Sequence, residues 1–150
     1  SLEKIISTVT ISKISHKYAL AKFHIIDLAL KGAQNPINEF VKKFKKNPKY
    51  KLIIDDIIKI RKLKSNSHPS VVKKLGMACS YPGTFNSSIH AILTSTNYKG
   101  AILKTIKAGG CNCSRANFIG AYFSALKGFN SIPNSWIKKT LPARKILNQK

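Results

Sequence analysis

The chain has 150 residues, 43% of them apolar, which suits one ordinary domain with a buried core and excludes disorder as its account. Twenty-seven Lys and Arg stand against five acids, Glu3, Asp27, Glu39, Asp55 and Asp56, for a formal charge of +22. So few carboxylates exclude a site built on paired acids or hard divalent cations, unless these five or residues outside the chain supply it.

The basic surplus attracts polyanions such as nucleic acid or an acidic membrane surface. The lysines are nonetheless spread along the chain among many Ile and Asn, a bias that AT-rich coding also produces. Three cysteines, Cys79, Cys111 and Cys113, make an odd number and no disulfide framework, which points to a reducing compartment. No secretory signal is evident, and the apolar run from Tyr18 to Leu30 is broken by Lys22, His24 and Asp27 and is too short to span a bilayer. These features predict an intracellular, cytoplasmic protein. The first residue is Ser rather than Met, as in a piece of a longer chain.

In chain order, Leu2 to Ser15 is a helical or irregular lead-in. Tyr18 to Leu30 is apolar nearly all round, which predicts a helix surrounded by others and ended by Gly32. Asn35-Pro36 reads as an N-cap and first helical residue, followed by Ile37, Phe40, Val41 and Phe44 at amphipathic spacing; Lys42, Lys43, Lys45 and Lys46 form the solvated face. After Pro48, Leu52 to Leu63 carries a broad isoleucine face. Asp55 and Asp56 are about 100° apart around that helix, cannot face one site together, and are read as surface acids.

Lys64 to Pro69 is a polar connection, and Val71 to Leu75 a helical turn before Gly76. Cys79 to Asn86 is a tight loop with Pro82-Gly83 as its turn, and a helix follows from about Phe85 to Thr94, with His90 as a satisfied core residue. Tyr98 to Ala108 is a further helix. It delivers the chain to Gly109-Gly110, after which Ser114 stands where an N-cap would begin a helix running to Lys127. On that helix Ala116, Gly120 and Ser124 form a stripe of small residues, which predicts close approach by a neighbour and a central position. Gly128 stops it. A short helix follows from Ile132-Pro133 to Lys138, with Trp136 as a packing anchor, and the basic tail after Pro142 is peripheral. No segment alternates as a strand does. The predicted class is all-α, a compact orthogonal or mixed helix bundle over residues 1–150.

The glycine pair and the helix after it are the leading candidate site. Unpaired N–H groups at a helix start carry the positive end of the helix dipole and receive an anion or a metal-bound oxygen cluster.

Gly76-Met-Ala-Cys-Ser-Tyr-Pro-Gly-Thr-Phe-Asn-Ser-Ser-Ile-His-Ala-Ile-Leu, then Lys107-Ala-Gly-Gly, Asn112-Cys-Ser-Arg-Ala, Ile119-Gly-Ala and Gly128-Phe-Asn-Ser-Ile-Pro-Asn-Ser-Trp together resemble the C-terminal part of the ADP-ribosylglycohydrolases, a family that includes jellyfish lens crystallins. The resemblance runs from Gly76 to about Leu141; Ser1 to Asn66 matches only in being helical. It implies an all-helical hydrolase fold with a pair of magnesium ions in a cleft, cleaving an N- or O-glycosidic bond of ADP-ribose. It further implies a late metal motif, Gly-Gly-Asp-x-Asp-Thr, with the remaining ligands in acidic motifs nearer the N-terminus that this sequence does not contain. The chain therefore looks like the C-terminal portion of such a domain, or a degraded copy.

Laid on that motif, Cys111 and Cys113 stand at the two Asp positions and Ser114 at the Thr. Gly109, Gly110, Asn112 and Arg115 are the matching candidates for substrate binding. Thiols are poor ligands for magnesium, so the resemblance implies an impaired or inactive enzyme, with ADP-ribose or an ADP-ribosylated substrate as the ligand. Two alternatives stand beside it. One is a non-catalytic, crystallin-like scaffold whose basic surface binds anions or nucleic acid. The other is a soft-metal or redox site formed by Cys79, Cys111 and Cys113.

Overall fold

A computed structural model describes residues 2–143 and 146. The parts of the basic tail at residues 144–145 and 147–150 lie outside the described residues. Among the described residues all regular structure is helical: α1 (Leu2–Val9), α2 (Lys13–Leu30), α3 (Pro36–Phe44), α4 (Lys51–Arg61), α5 (His68–Leu75), α6 (Gly83–Leu93), α7 (Tyr98–Lys107), α8 (Asn112–Lys127) and α9 (Asn134–Lys139). This is the all-α architecture expected from the sequence. None of these helices is long and apolar enough to cross a membrane.

Several helix starts follow local chemistry. Ser12 Oγ accepts the Ser15 N–H at 3.3 Å to open α2. Asn35 Oδ1 accepts the Asn38 N–H at 3.1 Å at the head of α3, where Pro36 needs no partner for a missing N–H. Asn97 Oδ1 does the same for Gly100 N–H at 2.8 Å before α7.

Helix α8 is the centre of the bundle, packed against α2, α6 and α7. The small-residue stripe explains why: a Cβ added to Gly120 would lie 3.3 Å from the Tyr98 hydroxyl, so α7 approaches here because α8 offers no side chain. Phe118 and Ile119 of α8 meet Tyr18 and Ile25 of α2 and Phe85 and Ile89 of α6 in one fully buried core. Trp136 packs against the rim of that core, 6.1 Å from the Tyr98 ring. Lys42, Lys43, Lys45 and Lys46 are exposed, as their positions on α3 predict.

Three expectations need correction. Helix α2 is not surrounded: Phe23 and Leu30 are exposed, and burial is concentrated on the face carrying Tyr18, Ala21, Ile25 and Ala29, with Leu20 buried on the other side. Ser114 does not cap α8, which already begins at Asn112 with Cys111 in the capping position. Asp56 is no surface acid. It is 7% exposed and accepts the Tyr18 hydroxyl at 2.5 Å, whereas Asp55 is exposed as expected. The broad isoleucine face of α4 carries Asp56 to the edge of the core, and the phenol from α2 satisfies it there.

His90 is the satisfied core residue expected, and its partner is His68 at the head of α5. The two rings stack with their Nδ1 atoms 3.0 Å apart, and His90 Nε2 lies 3.0 Å from the Leu63 carbonyl. The carbonyl accepts only, so His90 donates through Nε2 and receives at Nδ1 the proton that His68 Nδ1 donates. Burial lowers the pKa of both rings, which keeps them neutral near pH 7. Burial, followed by the fields of His90, Arg115 and Lys104, pushes the His68 pKa down to about 4.

A depressed histidine pKa means that the unfolded chain binds the extra proton first. Stability is full above about pH 6.5 and falls as the pH drops toward 4, by on the order of 2 kcal/mol for this group after allowing for screening. Urea titrations between pH 7 and 4 should show that slope, and His68→Phe should flatten it; an unchanged slope in the variant would dissociate the acid sensitivity from this pair.

Candidate functional site

The chain reaches α8 through a tight double-glycine turn. Gly109 and Gly110 have φ of 73° and 69°, the left-handed region that glycine enters at no steric cost. The turn is tied to the loop after α5, because the Cys111 N–H donates to the Met77 carbonyl at 2.7 Å. That bond brings the Cys79 loop against the head of α8.

Arg115 holds the turn from beneath. It is fully buried, with Nε donating to Thr105 Oγ1 at 2.9 Å and Nη2 donating to Asn112 Oδ1 at 2.8 Å and to the Gly109 carbonyl. Thr105 lies in the last turn of α7, so a cation sits where the helix dipole is negative. The guanidinium thus faces inward, onto the chain's own turn, and is not displayed to a ligand. The Asn112 side-chain oxygen is committed to it.

At the surface, Cys111 Sγ lies 3.1 Å from Ser114 Oγ. The Ser114 hydroxyl, assisted by its backbone amide and by the neighbouring Cys79 and Cys113 thiols, lowers the Cys111 pKa to about 7. Alkylation of Cys111 by iodoacetamide should therefore reach half its maximal rate near that pH. Ser114→Ala should move the midpoint up toward the ordinary thiol value of about 8.5, read by fragment mass across a pH series.

Beside this turn lies an open cleft of about 390 Å³. Cys113, Ser114 and Asn117 border it from α8, Thr84 from the first turn of α6, Cys79 and Tyr81 from the intervening loop, and Lys22 from α2. The Lys22 ammonium is 4.9 Å from the Tyr81 ring centre and 5.3 Å from that of Phe118. Burial lowers its pKa to about 8. Thr84 is 2% exposed, and its hydroxyl has no partner among the described residues. Among the described residues no carboxylate lines the cleft.

Of the residues singled out from sequence, Gly109, Gly110, Cys111 and Asn112 form the turn, Cys113 and Ser114 face the cleft, and Arg115 is buried under both. Lys22 and Thr84 were missed as site residues. Lys22 had a visible signal, a lysine inside an otherwise apolar helix, but periodicity alone reads it as an interruption. Thr84 had none, because only its lack of a partner distinguishes it.

The positions that the resemblance assigns to the metal carry two thiols and a hydroxyl, with Cys113 and Ser114 lining a cleft that also holds the Lys22 ammonium and Cys111 in the turn beside it. That set does not fit magnesium, which takes hard, preferably anionic oxygens. A soft-metal centre fares no better. Among the described residues no three His, Cys, Asp or Glu side chains are grouped so as to hold a metal ion.

The sequence model of the ADP-ribosylglycohydrolases matches residues 6–149, so the likeness extends well before Gly76 and takes in the helices of the first half. Crystallin J1A of Tripedalia cystophora is 36% identical over 81 residues, 54% of this chain and 25% of the crystallin. Crystallin J1B of the same animal is 31% identical over 84 residues, 56% of this chain and 26% of the crystallin. The aligned part thus spans about a quarter of either relative's length. No solved structure matches the chain. On the strength of the match over residues 6–149, the chain belongs to the ADP-ribosylglycohydrolase family.

Proposed function

We propose that this chain is a non-hydrolysing member of its family, a domain that keeps the glycine turn and the cleft but has lost the metal chemistry for cleaving an ADP-ribosyl bond. The observation that carries this reading is the donor set. By the resemblance, Cys111, Cys113 and Ser114 stand where the family motif has two carboxylates and a threonine, and the Lys22 ammonium lies in the cleft that Cys113 and Ser114 line. Thiols in place of hard carboxylate oxygens, with the Lys22 ammonium in the adjoining cleft, work against a magnesium ion.

The test compares the wild-type chain with the Cys111→Asp/Cys113→Asp double variant. Calorimetry should show no magnesium binding by the wild type and measurable binding by the double variant. The wild type should release no ADP-ribose from an ADP-ribosylated peptide above the buffer rate. Magnesium-dependent release by the wild type would overturn the reading, and absence of any gain in the double variant would count against a decayed magnesium site.

A purely structural role is the second reading. Its support is that both curated relatives are named crystallins, and that the exposed lysines of α3 form a solvated face without an evident binding constellation. Under that reading any polyanion binding comes from the +22 charge alone and fades steeply as salt is raised.

A further inference from the structure

Three free thiols meet at the head of α8: Cys79 and Cys113 are exposed and Cys111 is half-buried. They come from two segments, Cys79 from the loop between α5 and α6, Cys111 and Cys113 from the start of α8. The segments run against each other. The Cys111 N–H donates to the Met77 carbonyl at 2.7 Å, two residues before Cys79, and a Cβ added to Gly110 would lie 2.7 Å from Met77 Cβ. The Cys111 sulfur is 3.1 Å from Ser114 Oγ, and Ser114 and Cys79 border the same cleft. The Cys79 and Cys113 thiols each lie within hydrogen-bonding reach of Cys111.

This arrangement suits a bond between two sulfurs and not a metal ion. Among the described residues no three His, Cys, Asp or Glu side chains are grouped so as to hold a metal, whereas a disulfide needs only two sulfurs whose Cα atoms come within about 7 Å. Of the possible pairs, Cys79 with Cys111 has the strongest support. Cys111 and Cys113 are two residues apart at a helix start, so a bond between them closes almost no chain and distorts the first turn of α8. Joining Cys79 to Cys111 closes a loop that holds α6 and α7 and removes far more freedom from the unfolded chain. A bond from Cys79 to Cys113 would close a similar loop, but the backbone tie is at Cys111.

We propose that Cys79 and Cys111 form a reversible disulfide that staples the loop between α5 and α6 to the head of α8, with a low-molecular-weight disulfide such as oxidised glutathione as the oxidant. One protein thiolate opens the S–S bond of the reagent and releases one reagent thiol. The second protein thiolate then opens the mixed disulfide and releases the other. One S–S bond is broken and one is formed, the electrons of the protein dithiol pass to the reagent, and its protons leave on the reagent thiols. Closure takes the Cys111 sulfur away from Ser114 and fixes the loop that carries Tyr81, one wall of the cleft, against α8. Reduction releases that wall. The cleft therefore has two states, set by the thiol–disulfide poise around it.

The experiment equilibrates the full chain with oxidised and reduced glutathione over a range of ratios, quenches with acid, alkylates the remaining thiols and maps the digest without reduction. The expected product is a cross-linked peptide pair joining Cys79 to Cys111, with Cys113 alkylated. The oxidised chain should melt roughly 5 °C above the reduced one, and dithiothreitol should remove the difference. Cys113→Ser should form the bond as readily as the unaltered chain. Cys79→Ser should lower the yield of internal disulfide by about tenfold and instead keep glutathione on Cys111 as a mixed disulfide.

Should a serine variant not fold, the cross-linked peptide and the melting shift of the unaltered chain give the answer without it. Mixed disulfides alone on the unaltered chain, a bond from Cys113 to either other thiol as the main product, or equal melting temperatures for the two forms would overturn the proposal. Each of these outcomes leaves the non-hydrolysing reading intact, because magnesium binding and ADP-ribose release decide that reading separately.

Discussion

Replacing Gly110 by alanine is expected to destabilise the chain by about 3 kcal/mol, lowering the melting temperature by roughly 10 °C. The backbone φ of 69° carries an intrinsic penalty of about 1–2 kcal/mol for a residue with a Cβ. The larger part is steric. An added Cβ would lie 2.5 Å from the Met77 carbonyl oxygen and 2.7 Å from Met77 Cβ, neither of which is the loose end of a side chain. Relief requires the glycine turn to move off the Met77 loop, and that movement breaks the bond from the Cys111 N–H to the Met77 carbonyl.

Gly109 is the internal control. Its φ of 73° is as unfavourable, but the only atom its Cβ would crowd is Met77 Cε at 3.3 Å, the end of a flexible side chain. Gly109→Ala should therefore cost about 1 kcal/mol. Paired urea titrations read the difference. Equal losses for both variants would show that the turn conformation, and not its contact with Met77, sets the cost.

Arg115→Met is expected to cost about 3 kcal/mol, and for a different reason. Two effects oppose each other. The guanidinium is fully buried with no carboxylate to neutralise it, and burial lowers its pKa, so removing the charge relieves a desolvation cost. Against that, the Thr105 hydroxyl, the Gly109 carbonyl and the Asn112 side chain lose their donor. Bonds to a charged donor contribute about 1.5–3 kcal/mol each, and acceptors left unpaired inside the protein cost about 1–3 kcal/mol. Three such bonds outweigh one relieved charge.

Lysine at this position keeps the charge but not the planar fork that reaches both α7 and the turn, so Arg115→Lys should recover less than half of the loss. Amide exchange at Gly109 and Cys111, whose N–H groups donate to the Ile106 and Met77 carbonyls, should accelerate in both variants more than in the α2 core, because the bonds lost are those that hold the turn. Uniform acceleration across the chain would instead mean that Arg115 supports the whole bundle equally.

The two variants bear on function through the same geometry. Gly110 and Arg115 position the first turn of α8, and that turn sets Cys113 and Ser114 against Thr84 and Lys22 at the cleft. Arg115 is buried, and Gly110, though exposed, does not line the cleft. A ligand measurement on either variant would therefore report a displaced helix start, not a lost contact.

The class of the fold was legible in the residues themselves. Amphipathic spacing in α3, the isoleucine face of α4, the Asn35 cap and the glycine stops at Gly32 and Gly128 are local signals, and local physics decides them. The small-residue stripe of α8 also placed that helix in the middle, because close approach needs small side chains wherever it occurs. The ordered motifs from Gly76 onward resemble the family that the match over residues 6–149 then shows.

What only the tertiary structure decided is the state of the polar groups. Asp56 sits mid-helix in a sequence that reads as exposed, and the Tyr18 hydroxyl arriving from α2, 38 positions away, joins Lys59 on its own helix in compensating the buried carboxylate. Arg115 reads as a ligand-facing residue by motif position, yet α7 and the glycine turn draw its guanidinium inward. Lys22 and Thr84 are far apart in the chain and ordinary in their local patterns. They become a pair only because α2 and α6 both pack on α8, so their charge and unpaired hydroxyl meet in one cleft. Periodicity states which face of a helix is apolar, whereas the partners of a buried polar atom come from distant segments and are settled only when the helices are packed.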